Sequence, residues 1–184
     1  MKHGDRYYNE VAFGAAGYHK PASVLVGLRE MLGRETFERA MREYGRRWMG
    51  KHPTPFDFFN TIEDVAGRDL DWFWKTWFYE TWRLDQAIES VVTDADSTRI
   101  VVANREKAFM PVILAVTREG EKVDTVTVPV ESWFDGRKEL TVTVPGTPKV
   151  VRVELDPAHD LPDINRANGS WPRGAAAAER RPRP

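Results

Sequence analysis

The feature that most constrains this chain is a change in the spacing of its apolar residues near Ile88. Before that point they recur every three or four positions, and after it every second one. The first spacing specifies helices with one buried stripe, and the second specifies strands with one buried and one wet face. One chain carrying both in succession is α+β: a helical unit over residues 1–87, then an antiparallel β-sandwich over 88–165.

The helical part divides at its own punctuation. Leu25, Leu28 and Leu32 share one face, and Gly33 stands where a left-handed cap belongs. Phe37, Ala40, Met41, Tyr44 and Trp48 continue down the next helix. The prolines of Lys51-His52-Pro53-Thr54-Pro55 stop that helix and start another, with Thr54 as N-cap, Pro55 in the first turn and Asp57 near the positive helix end. Phe58, Ile62 and Val65 form its expected stripe, and Gly67 closes it. Asp69 is placed to cap a fourth helix carrying Leu70, Phe73, Trp74 and Trp77. Trp72 to Trp82 is too rich in aromatics for one narrow stripe, and its helical spacing favours a core over an exposed platform for sugars or peptides.

In the β part, Asp94-Ala95-Asp96-Ser97, Glu119-Gly120 and Pro145-Gly146-Thr147-Pro148 separate the strands. Alternation is cleanest in Thr125–Val128 and Thr141–Val144. About six or seven short strands at this spacing predict the sandwich. Residues 166–184 carry five basic groups and one acidic group, with an alanine run, and are expected to be a disordered basic tail.

Composition removes several classes of function. There is no cysteine, hence no disulfide, thiolate metal site or thiol nucleophile. A formal net charge of -1 argues against a nucleic-acid surface made by bulk charge. No run approaches the ~18 apolar residues of a membrane helix, and Met1–Tyr8 does not read as a signal peptide. His3, His19, His52 and His159 offer no pair at i, i+4, so a metal site within this chain is not expected. No serine lies in a G-x-S-x-G setting, and no glycine-rich phosphate loop follows a strand.

One stretch carries a resemblance. Gly17-Tyr18-His19-Lys20-Pro21-Ala22-Ser23-Val24-Leu25, Leu32-Gly33-Arg34-Glu35-Thr36-Phe37, Tyr44 with Trp48, Asp57-Phe58-Phe59, and Gly67 to Trp77 follow in an order that resembles the zinc aminopeptidases of the membrane alanyl aminopeptidase family, the gluzincins. The resemblance runs from about residue 4 to 92 and implies that Tyr18 is the catalytic tyrosine, donating a hydrogen bond to the oxyanion of the scissile carbonyl. It also implies zinc as the parent family's cofactor, held by an H-E-x-x-H motif and a downstream glutamate. Those ligands precede the tyrosine in the family and are not found here, so the chain is expected to be the C-terminal part of such an enzyme. Alone it is expected to be inactive, with no cofactor of its own. Its implied partners are a peptide substrate and the catalytic half that bears zinc. The alternative is a free-standing, non-catalytic helical plus β-sandwich module that binds a protein.

Overall fold

A computed structural model describes residues 7–173. The fold is α+β, with helices first and antiparallel strands in two sheets after them. Two compact units divide the chain, one of Met1–Trp82 with Asp160–Pro162, the other of Arg83–His159 with Asp163–Pro184. Among the described residues no helix is long and apolar enough to cross a membrane.

The helical unit begins earlier than the leucine spacing predicts. Helix α1 (Glu10–Gly14) passes through a π-helical turn (Ala15–His19) into α2 (Lys20–Leu32), with right-handed helical dihedrals at both junctions. Asn9 starts it, its Oδ1 accepting the Ala12 N–H at 2.8 Å. Gly14 and Gly17 hide this start in the sequence, since each weakens a helix by about 1 kcal/mol relative to alanine. The inward face of α2 is also turned by one position: Val24, Gly27 and Leu28 are buried, while Leu25 and Leu32 are half-buried. Gly33 caps α2 at φ 78° and ψ 146°, a positive-φ conformation but not the left-handed helical one.

Helix α3 (Arg34–Trp48) lies against α4 (Pro55–Ala66). The Tyr44 ring meets Phe58 edge-on at 5.0 Å, and Arg47 reaches Asp64 at 2.6 Å. The predicted start of α4 is present as a capping box of Thr54 and Asp57, in which the Thr54 N–H and hydroxyl both donate to Asp57 Oδ2 at 2.7 Å. Gly67 ends α4 in the left-handed conformation. Helix α5 (Asp71–Trp74) then runs into a second π-helical turn (Lys75–Tyr79). Its N-cap is Leu70 rather than Asp69, whose Oδ1 instead accepts the Asp71 N–H in a local turn at 2.8 Å.

The aromatic block is core in its middle, with Trp72, Phe78 and Trp82 half-buried and Tyr79 exposed. Phe73, Trp74 and Trp77 are buried, and the Trp74 ring stacks on Phe59 at 4.4 Å. Glu63 Oε1 accepts the Trp74 indole N–H at 3.2 Å and the Leu70 N–H at 2.7 Å, so α4 and α5 are joined by a ring stack and a shared carboxylate.

In the second unit, β1 (Gln86–Thr93), β2 (Ser97–Asn104) and β5 (Glu139–Pro145) form one sheet in the order β1-β2-β5. The other sheet holds β3 (Val112–Arg118), β4 (Val123–Val128), β6 (Val150–Leu155) and β7 (Ser170–Trp171) in the order β4-β3-β6-β7. Every pairing is antiparallel. Strand β5 shows the predicted alternation, with Leu140, Val142 and Val144 buried and Thr141 and Thr143 exposed. Strand β4 alternates only between exposed and half-buried, because it lies at a sheet edge.

Two features of this unit are not evident in its alternation. Trp133, in a short 3-10 turn, is fully buried, and its indole N–H donates to the Met110 carbonyl at 3.1 Å. Arg118 is buried, with Nε on Asp124 at 2.7 Å and its guanidinium on the Pro145 and Pro148 carbonyls, both at 2.8 Å. The expected tail is corrected in its first part. Arg166–Asn168 forms a 3-10 turn, and β7 pairs with β6 through Val153 and Trp171. The remainder of that tail, residues 174–184, lies outside the described residues.

Candidate functional site

Tyr18 lies within the first π-helical turn, in the middle of a continuous helix rather than at a helix start. Its side chain is 65% exposed, so the phenol faces outward. The turn also decides what Tyr18 sits beside. In an α-helix of 3.6 residues per turn, residues five apart fall about 140° from each other. A π turn bonds residues five apart and brings them to one side. Phe13 and Tyr18 accordingly meet edge-on, with ring centroids 5.7 Å apart. Tyr7 meets Phe13 from the other side at 5.5 Å. The Tyr18 ring is thus braced by Phe13 while the residue remains largely exposed.

The turn is closed by Lys20, whose backbone N–H donates to the Ala15 carbonyl. The Lys20 side chain folds inward and donates from Nζ to the Glu80 carbonyl at 3.2 Å. Glu80 is the cap of the second π turn, its own N–H donating to the Lys75 carbonyl at 3.0 Å. Burial pushes the Lys20 ammonium below the ordinary lysine value.

His19, next in sequence to Tyr18, is exposed, as are His52 and His159; His3 lies outside the described residues. No two of the three described histidines come together in a group that could hold a metal. Among the described residues, Glu63, Asp69 and Asp71 form the only such group. Its donors are all carboxylate oxygens, and two of them already cap backbone N–H groups, Glu63 that of Leu70 and Asp69 that of Asp71. Such a set does not fit a catalytic zinc ion, which takes histidine nitrogens with at most a carboxylate or so beside them. No step is therefore routed through a metal held by these residues.

Spacing alone leaves both π turns and the Lys20 tie unseen. Aromatics five residues apart, Phe13 and Tyr18 at the first turn and Trp74 and Tyr79 at the second, are the trace the sequence offers, because residues at that interval do not share a face of a regular α-helix.

Residues 4–77 match the Peptidase family M1 domain. Among solved structures, the chain is similar to the crystal structure of Legionella pneumophila aminopeptidase A in complex with aspartic acid, with a TM-score of 0.64 and 16% sequence identity. That likeness covers 83% of this chain and 18% of the Legionella chain, and at this identity it is a likeness of fold. No curated protein gives a significant match. The first match supports a relationship to peptidase family M1 over residues 4–77, and the second supports the fold.

Proposed function

We propose that this chain is the portion of a zinc-dependent metallo-aminopeptidase, a gluzincin, that supplies the transition-state tyrosine but not the zinc ligands. The observation that supports this most is the outward phenol of Tyr18 inside the stretch matching peptidase family M1. As the carbonyl of an N-terminal peptide bond becomes tetrahedral, its oxygen gains charge. A phenol held at its ring and free at its hydroxyl donates a hydrogen bond to that oxygen without reorganising. Zinc, when bound by another segment, activates the attacking water and shares the oxyanion's charge. The role of Tyr18 is the donated hydrogen bond, and Phe13 holds the ring while that bond forms.

The partners of this reading are a peptide substrate and a segment carrying the zinc ligands. The chain alone should purify without stoichiometric zinc and hydrolyse no aminoacyl substrate. Joined to an M1-type segment bearing H-E-x-x-H, it should take up one zinc and release N-terminal residues. Metal content and turnover of both preparations test this together. Turnover by the chain alone, or none after joining to a segment that has bound zinc, contradicts the proposal.

A further inference from the structure

We propose that Lys20 is a positioning residue for Tyr18, locking the π turn that carries the phenol to a second π turn through one half-buried hydrogen bond. This inference rests on the catalytic reading of Tyr18 for its purpose, though not for its geometry.

Three observations converge on Lys20. Its backbone N–H closes the Ala15–His19 turn on the Ala15 carbonyl. Its Nζ reaches the Glu80 carbonyl, 60 residues away in sequence, at 3.2 Å. That carbonyl belongs to the residue whose N–H closes the Lys75–Tyr79 turn on Lys75. A single residue thus joins both irregular turns of the helical unit, one by its main chain and one by its side chain.

A π turn carries one residue more than the regular helix wants, so it tends to relax back to α geometry unless something holds it. Relaxation would move Tyr18 off the side it shares with Phe13 and swing the hydroxyl around the helix. The tie to Glu80 opposes this. The ammonium is half-buried and donates to a carbonyl that the second π turn leaves unspent at its end. A lysine is suited to the task, since its stem can lie along apolar surface while three donors remain at the tip.

The test compares the wild-type chain with Lys20→Met, which keeps the stem and loses the donor, and Lys20→Arg, which restores one. In the wild type, NMR should show a nuclear Overhauser contact between the Phe13 and Tyr18 rings and a protected Lys20 amide. Lys20→Met should abolish that contact and speed exchange of the Lys20 amide at least tenfold, with the Arg118 amide in the sandwich unchanged. Lys20→Arg should recover most of both. Unaltered ring contact and exchange in Lys20→Met overturn the proposal. If that variant does not fold, the wild type still decides, by whether the Lys20 ammonium protons are held long enough for direct nitrogen-15 detection. Held protons support the tie, and free exchange with solvent overturns it. In a joined, active enzyme, Lys20→Met should lower kcat at least tenfold with KM kept. Were Tyr18→Phe to leave turnover intact, the catalytic reading would fail while the NMR result stood, so the two failures are distinguishable.

Discussion

The helical unit and the sandwich solve the same problem by different means. In the sandwich, aliphatic side chains alternate inward, with Ile100, Val102, Leu114, Val116 and Val153 fully buried on the two sheets. Its backbone groups pair in antiparallel ladders, unbroken between β2 and β5 and between β3 and β4, and shifted in register only at Ile88/Ser90 and Thr117/Arg118. In the helical unit large rings join the aliphatic core, Phe59, Phe73, Trp74 and Trp77 lying buried with Leu28, Ile62 and Leu70. That unit also leaves Tyr8, Phe13, Tyr18, Phe56 and Tyr79 exposed, whereas Phe134 is the one large aromatic counted as exposed among the described residues of the sandwich. The contrast separates scaffold from site. Regular pairing builds the sandwich, while the irregular turns and outward phenol sit on the unit held by large side chains.

The largest expected effect falls on the aromatic core. Trp74→Ala removes the ring stacked on Phe59 and the indole that donates to Glu63. The expected cost is ~3–5 kcal/mol, a large part of a typical domain's stability, read from urea unfolding. A loss below ~1 kcal/mol would break the contrast, because the rings would then be a surface platform.

The matching weak point of the sandwich lies in its backbone. A Cβ on Gly146 would stand 2.8 Å from the Ser97 nitrogen and 3.0 Å from the Asp96 carbonyl carbon. These are main-chain atoms of the β1–β2 turn, and they cannot swing aside as a flexible side chain can. Gly146→Ala should cost ~1–3 kcal/mol by thermal unfolding, with the helical unit's tryptophan fluorescence unaltered in the folded state. A neutral substitution would show that the loop yields freely and that the sandwich is less fixed than its ladders imply.

A smaller effect sharpens the electrostatic side of the comparison. Hydrogen bonds from Arg46 and Arg47 hold the Glu43 carboxyl down at about 2. Its folded value is depressed, so its contribution is present above the ordinary glutamate value of ~4.3 and is lost as pH falls toward about 2. Glu43→Gln should therefore flatten the acid limb of stability in that window and change little at neutral pH. The pairs lie at the surface, with Arg46 exposed, and the expected effect is correspondingly slight. An acid limb of identical slope in the variant would contradict the pairing.

Legibility in the sequence followed the same division. The strands were readable because a period of two and a turn residue determine a strand locally, as Leu140 to Val144 shows. Thr54 and Asp57 were readable because a capping box is a local device. The buried face of α2 was misread by one position because Val24 and Leu25 both fit a helical stripe, and packing selects between them. The start at Asn9 was masked by Gly14 and Gly17. Strand β7 was hidden by a polar, arginine-bearing segment, since two residues pair there without any alternation to announce them. As for the candidate site, Tyr18 is singled out by its neighbours in sequence alone. The π turn that aims it depends on a carbonyl 60 residues beyond Lys20, and no local pattern records such a contact.

In the proposed reaction the Tyr18 hydroxyl donates to the developing oxyanion. The most direct measurement is steady-state kinetics of Tyr18→Phe in the chain joined to a zinc-bearing M1-type segment. The substitution removes one oxygen and keeps the ring against Phe13. The account predicts a fall in kcat of ~10²-fold or more with KM nearly unchanged, because the bond forms chiefly as charge develops. His19→Ala, one residue away and exposed, should leave both parameters near wild type. A Tyr18→Phe enzyme that keeps the wild-type kcat would contradict the account and leave Tyr18 as a residue of the fold alone.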